Sequence, residues 1–300
     1  MKFCYVYQKK ESQQLKLFLK EQGISRALLA KIKFQGGKIF VNGKVENVLY
    51  SLKTADEVEV IVPDEGSHET LLADDSPIDI VYEDEHLLVV NKPAGIASIP
   101  SQYHPNKTMA NRVKAYYKRR AYKDQVIHVV TRLDRDTSGL MLFARHGFAH
   151  ALLDKELQKK SLRKKYRAIV SGNVSSIKPH EVINFPILRD PTSIIKRQAG
   201  DNGKPAETEY WLKQRNAEFA VVDIQLHTGR THQIRVHFST AGFPLVGDEL
   251  YGGVLSSKLQ RQALHCGELE FIHPFTKDQL SFKQELPQDM QNFVQIFETR

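Results

Sequence analysis

The sequence predicts an α+β protein, a mixed and mostly antiparallel sheet flanked by helices, preceded by a small α/β unit. Three observations carry that prediction. After about residue 78, strand-like and helix-like segments intermingle without a regular β-helix-β repeat, which argues against a doubly wound parallel sheet. Residues 1–62 show two short helical patterns and a few strand patterns around a tight-turn signal, enough for a unit of their own. Between the two, residues 63–85 hold nine acids and no Lys or Arg, and Pro63, Gly66, Ser67, Ser76 and Pro77 break helix and strand alike. We therefore read residues 63–77 as an acidic linker that leaves the first unit many positions, and residues 78–300 as the second unit.

The elements follow in order. Leu15, Phe18 and Leu19 recur at helical spacing and Gly23 ends the run. Ser25 caps a second helix carrying Leu28, Leu29 and Ile32, which Gly36-Gly37 stops. Lys38-Ile39-Phe40-Val41 alternates as a strand, Asn42-Gly43 turns it, and Val58, Val60 and Val62 line one face of a strand over residues 57–63. In the second unit the apolar runs predict strands at residues 87–90, 140–144, 166–171, 207–212 and 219–226. Helices are predicted over residues 108–120, 146–158, 231–239 and 287–298.

Composition bounds the function. With 300 residues, 41% hydrophobic and 26% charged, the chain is globular rather than disordered or fibrous. Lys and Arg number 43 against 35 acids, a net charge of +8 that suits a polyanionic partner. No apolar run has the length of a membrane span, and Lys9, Lys10 and Glu11 leave no room for a secretory signal. Cys4 and Cys266 are far apart, so the reading expects neither a disulfide framework nor a cysteine metal site, and a cytoplasmic protein. His227, His232 and His237 are spaced by five, which on a helix turns each side chain about 140° from the last and off any common face. A metal is not expected there.

The densest polar string is Thr131-Arg132-Leu133-Asp134-Arg135-Asp136-Thr137-Ser138-Gly139, set between apolar runs. Loops so placed tend to carry function. A carboxylate flanked by Arg132 and Arg135 can stay ionised in a desolvated pocket and act as nucleophile or base. The bland alternative is a surface turn in which Asp136, Thr137, Ser138 and Gly139 satisfy backbone groups. A magnesium-binding Asp-x-Asp is disfavoured, because the two arginines would repel a cation.

Arg132-Leu133-Asp134-x-x-x-Ser138-Gly139 resembles the catalytic motif of the RluA/RluD type of pseudouridine synthases. Four further blocks agree in order: Val90-Asn91-Lys92-Pro93-Ala94-Gly95; Lys165-Tyr166-Arg167-Ala168; residues 203–210, from Gly203-Lys204-Pro205 to Tyr210; and residues 228–237, Thr228-Gly229-Arg230-Thr231-His232-Gln233-Ile234-Arg235-Val236-His237. The resemblance covers residues 78–285. It implies isomerisation of uridines within RNA without cofactor or metal, with Asp134 as the catalytic carboxylate. Whether Asp134 attacks carbon 1 of the ribose or removes a ribose proton is left open. Arg235 would pair with Asp134, Tyr166 would stack on the uracil, and Arg132 would fill the gap left by a flipped base. Arg135, Arg230 and His232 would contact RNA. Thr131, where many members carry His, and Phe243, where His or Tyr is common, are departures.

The first unit resembles the RNA-binding domain named after ribosomal protein S-four, through Gly23-Ile24-Ser25-Arg26 and residues 37–44, Gly37-Lys38-Ile39-Phe40-Val41-Asn42-Gly43-Lys44. That resemblance implies RNA contacts from Arg26, Lys31, Lys38 and Lys44; read alone, these are equally a solvated basic face. Residues 92–135 carry ten Lys+Arg against Asp124 and Asp134, the charge of a surface that follows a phosphate backbone. The reading expects large-subunit ribosomal RNA as substrate and a monomeric protein. Its alternatives are a transfer-RNA enzyme and a non-catalytic ribosome-assembly factor of the same fold.

Overall fold

A computed structural model describes residues 1–66 and 70–298, without side chains for 296–298. The first unit runs β1 (Lys2–Val6), β2 (Gln13–Gln14), α1 (Leu15–Glu21), α2 (Arg26–Phe34), β3 (Lys38–Val41), β4 (Lys44–Val45), β5 (Ser51–Leu52) and β6 (Glu57–Ile61). Both predicted helices form, and Ser25 caps α2 by accepting from the Leu28 amide. A sheet in the order β1-β6-β3-β4 closes over Leu15, Phe18, Leu19 and Ile32. The strand β1, not anticipated from the sequence, pairs antiparallel with β6.

The second unit continues with β7 (Asp79–Glu83), β8 (Leu87–Lys92), α3 (Met109–Arg119), β9 (His128–Val129), β10 (Ser138–Ala144), α4 (Gly147–Gln158), β11 (Arg163–Val170), β12 (His180–Ile183), β13 (Ile187–Arg189) and β14 (Arg197–Ala199). It ends with β15 (Thr208–Arg215), β16 (Ala220–Leu226), α5 (Gln233–Thr240), β17 (Leu264–Ile272), β18 (Gln279–Lys283) and α6 (Gln288–Glu298). One ten-stranded sheet follows the order β12-β15-β16-β11-β17-β10-β8-β7, with β18 beside β17 and β9 beside β10. Its pairings are antiparallel except β10 with β17. The expected α+β class is the class observed.

The central strands are buried on both faces, which is why they read as unbroken apolar runs. Leu88, Val90, Met141 and Phe143 turn to one side, beneath Met109, Val113 and Tyr117 of α3 and Ile234 and Phe238 of α5. Leu87, Val89, Leu140 and Leu142 turn to the other, against Ala149 and Leu153 of α4. Each such side chain contributes roughly 1.5–3 kcal/mol by leaving water. Thr108 and Asn111 form a reciprocal cap that fixes where α3 begins.

The linker expectation needs correction. Much of the acidic segment is docked rather than free. Arg112 reaches Asp74 at 3.5 Å and Arg119 reaches Asp75 at 2.8 Å, while the Asn111 amide donates to the Leu72 carbonyl. Glu65 accepts from His128 Nε2 at 2.6 Å and from the Gly147 amide. Asp74 and Asp75 are matched to the basic face of α3, a complementarity that composition alone does not reveal. The first unit is also seated: Phe3 packs against Phe148 of α4 and against Phe275, with centroids 5.0 and 5.1 Å apart.

Candidate active site

Residues 130–137 join β9 to β10, and the main chain there is held from several sides. Ser98 Oγ accepts from the Leu133 amide at 3.0 Å and donates to the Leu133 carbonyl at 2.6 Å. Thr131 Oγ1 accepts from the Leu142 amide, and the Arg261 guanidinium donates to the Asp136 carbonyl. Lys92, fully buried at the end of β8, gives its three hydrogens to the carbonyls of Pro93, Ile96 and Arg135 at 2.7–2.9 Å. Burial pushes its ammonium down to about 7 against the pull of Asp136 and Asp134. Pinning both flanks of Asp134 leaves its side chain little freedom except its own torsions.

The motif glycine has a separate reason. Gly139 sits at φ +115, where a Cβ would lie 2.2 Å from the Cys266 carbonyl oxygen. At that point β10 crosses onto its parallel neighbour β17, so only a residue without a side chain fits.

The Asp134 side chain is 28% exposed and faces the buried Arg235 of α5, whose Nη1 stands 3.5 Å from Asp134 Oδ2. Arg235 is otherwise engaged by Asp248, which is 1% exposed: Nε and Nη2 donate to its two carboxylate oxygens at 2.7 and 2.8 Å. The Tyr251 ring lies under the guanidinium, 4.8 Å from it. Burial works against the Arg235 charge, yet the hydrogen bonds and charge of Asp248, with Asp134 behind them, raise its pKa above the ordinary arginine value. His232, at the start of α5, places Nε2 4.0 Å from Asp134 Oδ2.

Tyr166 of β11 is buried. Burial first, and then the nearby Cys266 and Asp134, raise its phenol well above its ordinary value, so it is neutral at physiological pH. Lys164 lies 5.7 Å from the Tyr166 ring, and its ammonium is lowered, chiefly by burial.

The structure thus brings Asp134, Tyr166, Arg235 and His232 to one place. It does not bring Arg132 and Arg135 to Asp134 as the flanking-arginine argument expected. Arg135 forks onto Asp136 at 2.8–3.1 Å, and Arg132 is exposed. Arg135 is spent on its own neighbour Asp136, and the charge partner of Asp134 comes from another element, α5. Arg230 is exposed and donates to the Pro205 carbonyl. Arg26, Lys31, Lys38 and Lys44 are exposed on the first unit. The three spaced histidines part company: His227 meets Glu209, His232 faces Asp134, and His237 Nε2 meets the Phe185 carbonyl. Sequence reasoning missed Asp248 as the anchor of Arg235; nothing in the chain around Leu245-Val246-Gly247-Asp248 marks that carboxylate as the partner of a residue 13 positions earlier.

The sequence model of a family described as RNA pseudouridylate synthase matches residues 86–240, which include Asp134, Tyr166 and Arg235. The chain belongs to that family. It is 44% identical over 280 residues to a Bacillus subtilis protein named uncharacterized RNA pseudouridine synthase YjbO, covering 93% of this chain and 98% of the relative. It is 34% identical over 277 residues to the ribosomal large subunit pseudouridine synthase D of Escherichia coli, covering 86% of this chain and 82% of that one. Among solved structures, human RNA pseudouridylate synthase domain containing 4 shares the fold, with a TM-score of 0.60 at 22% identity over 73% of this chain and 93% of that one. This pseudouridine synthase holds its matched motifs at the carboxyl end of β8, before β10, in β11 and in α5, and Asp134, Tyr166 and Arg235 from the last three come together. No helix among the described residues is long and apolar enough to cross a membrane.

Proposed function

We propose that this RNA pseudouridine synthase acts on uridines of large-subunit ribosomal RNA, with Asp134 as its catalytic carboxylate. The observation that carries the reading is the division of labour at Arg235. Asp248 holds two of its nitrogens, and the third is left for the partly exposed Asp134 carboxylate. A partly exposed carboxylate presented by a fixed guanidinium is suited to attack carbon 1 of a ribose or to remove a ribose proton. The neutral, buried Tyr166 offers a ring face for the detached uracil, and Arg132, exposed two positions before Asp134 in the chain, fills the stack from which the base has been flipped. Both new and old bonds are made within one nucleotide, so the reaction needs no co-reactant.

The ribosomal assignment is supported by the names of curated relatives, several of them ribosomal large subunit pseudouridine synthase D. Residues 1–62 we assign to an S-four-type RNA-binding module whose exposed Arg26, Lys31, Lys38 and Lys44 follow phosphates, with Arg135 and Arg230 adding charge at the cleft, in a cytoplasmic monomer. The test is tritium release from carbon 5 of labelled uridine in large-subunit and transfer RNA, with chelator present. Release from ribosomal RNA by wild type and none by Asp134→Asn is the expected result. Release from transfer RNA alone would transfer the substrate assignment, and release by Asp134→Asn would remove the residue from its role.

A further inference from the structure

Tyr251 and His232 lie beside the carboxylate and are unused in the scheme above. The Tyr251 hydroxyl is 2.9 Å from the backbone nitrogen of Arg197 and 2.8 Å from His232 Nδ1. A backbone N–H can only donate, so the hydroxyl oxygen accepts from Arg197 and its own hydrogen is available to Nδ1. With Nδ1 accepting, the neutral imidazole bears its hydrogen on Nε2, the atom 4.0 Å from Asp134 Oδ2, and turns an N–H rather than a lone pair towards the carboxylate.

We infer that His232 is a positioning residue for the catalytic carboxylate: Tyr251 locks its ring with the hydrogen on Nε2, and this N–H is the second donor to Asp134, beside Arg235. The inference rests on the reading of Asp134 as the catalytic group. Nε2 and Oδ2 stand beyond hydrogen-bond distance, and catalytic hydrogen bonds that are long in a free site tighten when substrate binds. One further feature favours the role. The His232 side chain is 11% exposed, which makes it a poor surface contact for RNA.

Protonation of the ring would undo the arrangement. Nδ1 would then carry a hydrogen facing the Tyr251 hydroxyl hydrogen, and an imidazolium would pair with Asp134 and blunt its reactivity. Burial first, with Arg235 and Arg197, opposes that protonation; Asp134 and Asp248 favour it, and the net pKa lies below 6.5. Lys196, 5.8 Å from the Tyr251 ring, adds positive charge on the same side. The donor form thus persists through neutral pH, and the rate acquires an acid limb below pH 6.5.

The test is the single-turnover rate of tritium release against pH, together with filter binding of the same RNA. His232→Ala should lower the rate about ten- to a hundredfold, the scale of a misplaced reacting group. His232→Gln should restore most of it, since its amide N–H stands where Nε2–H stood, and should lack the acid limb. Tyr251→Phe should move that limb upward in pH, and RNA affinity should be unchanged in all three. Equal losses in the Ala and Gln variants with the wild-type pH profile would overturn the inference, as would weaker RNA binding at an unchanged rate. An active Asp134→Asn protein would overturn the reading beneath it.

Discussion

Arg235 is placed by a carboxylate that takes no part in the proposed chemistry. The fork to Asp248 uses Nε and Nη2, so the orientation of the guanidinium plane, and hence of Nη1, is fixed before any substrate arrives. Asp248→Ala would leave a buried guanidinium without its main partner, and we expect a loss of about 3–5 kcal/mol in urea unfolding. A loss below about 1 kcal/mol, the worth of an exposed pair, would show the fork to be dispensable. The sequence showed Asp134 and Arg235 through their motifs, but a pair 101 positions apart in the chain gives no local sign of contact. Arg132 and Arg135, nearest in sequence, are not the partners.

At the level of elements, the best-read pieces were those whose signals are local. Ser25, Thr108 and His146 each accept from the amide three residues on, and the helices begin where those caps stand. The run in β10 is apolar throughout because both faces are covered. Less legible was β17, in which Gly267, Glu268 and Glu270 interrupt the pattern; it is a strand because β10, β11 and β18 all pair with it. The β10–β17 crossing gives a test of why a motif glycine is needed. Gly139 and Gly43 both lie at positive φ, but a Cβ at Gly43 would meet nothing within 4 Å. Gly43→Ala should therefore cost only about 1–2 kcal/mol of backbone strain, whereas Gly139→Ala should prevent folding or lower Tm severely. Similar melting temperatures for the two variants would contradict the close-approach explanation.

Across the whole molecule, the first unit and α4 share an aromatic seam. Phe3, Phe148 and Phe275 pack with His86 and His146, whose Nδ1 and Nε2 lie 3.0 Å apart. Burial, and then the neighbouring His86, push His146 down to about 3, and burial likewise holds His265 in the catalytic core at about 4. Below pH 6.5 an unfolded chain takes up protons that these folded sites refuse. Their contribution to stability is full above that pH and is lost as pH falls towards 3. Urea unfolding should accordingly show stability falling between about pH 6.5 and 5, with a shallower slope in His146→Gln. An unchanged slope would place the acid sensitivity elsewhere.

By itself the sequence determined the α+β class, the helix starts, the buried central strands and the family, because caps, periodicity and motifs are properties of neighbours along the chain. It also marked out Asp134, Tyr166 and Arg235 as one set, through resemblance. Only the tertiary structure decided that Arg235, held by Asp248, rather than Arg132 or Arg135 pairs with Asp134, that the Tyr251 hydroxyl meets His232 Nδ1, and that the acidic segment lies along α3 instead of swinging free. Those are pairings between residues far apart in sequence, selected by which elements the sheet order sets side by side and by the cost of burying a charge without a partner.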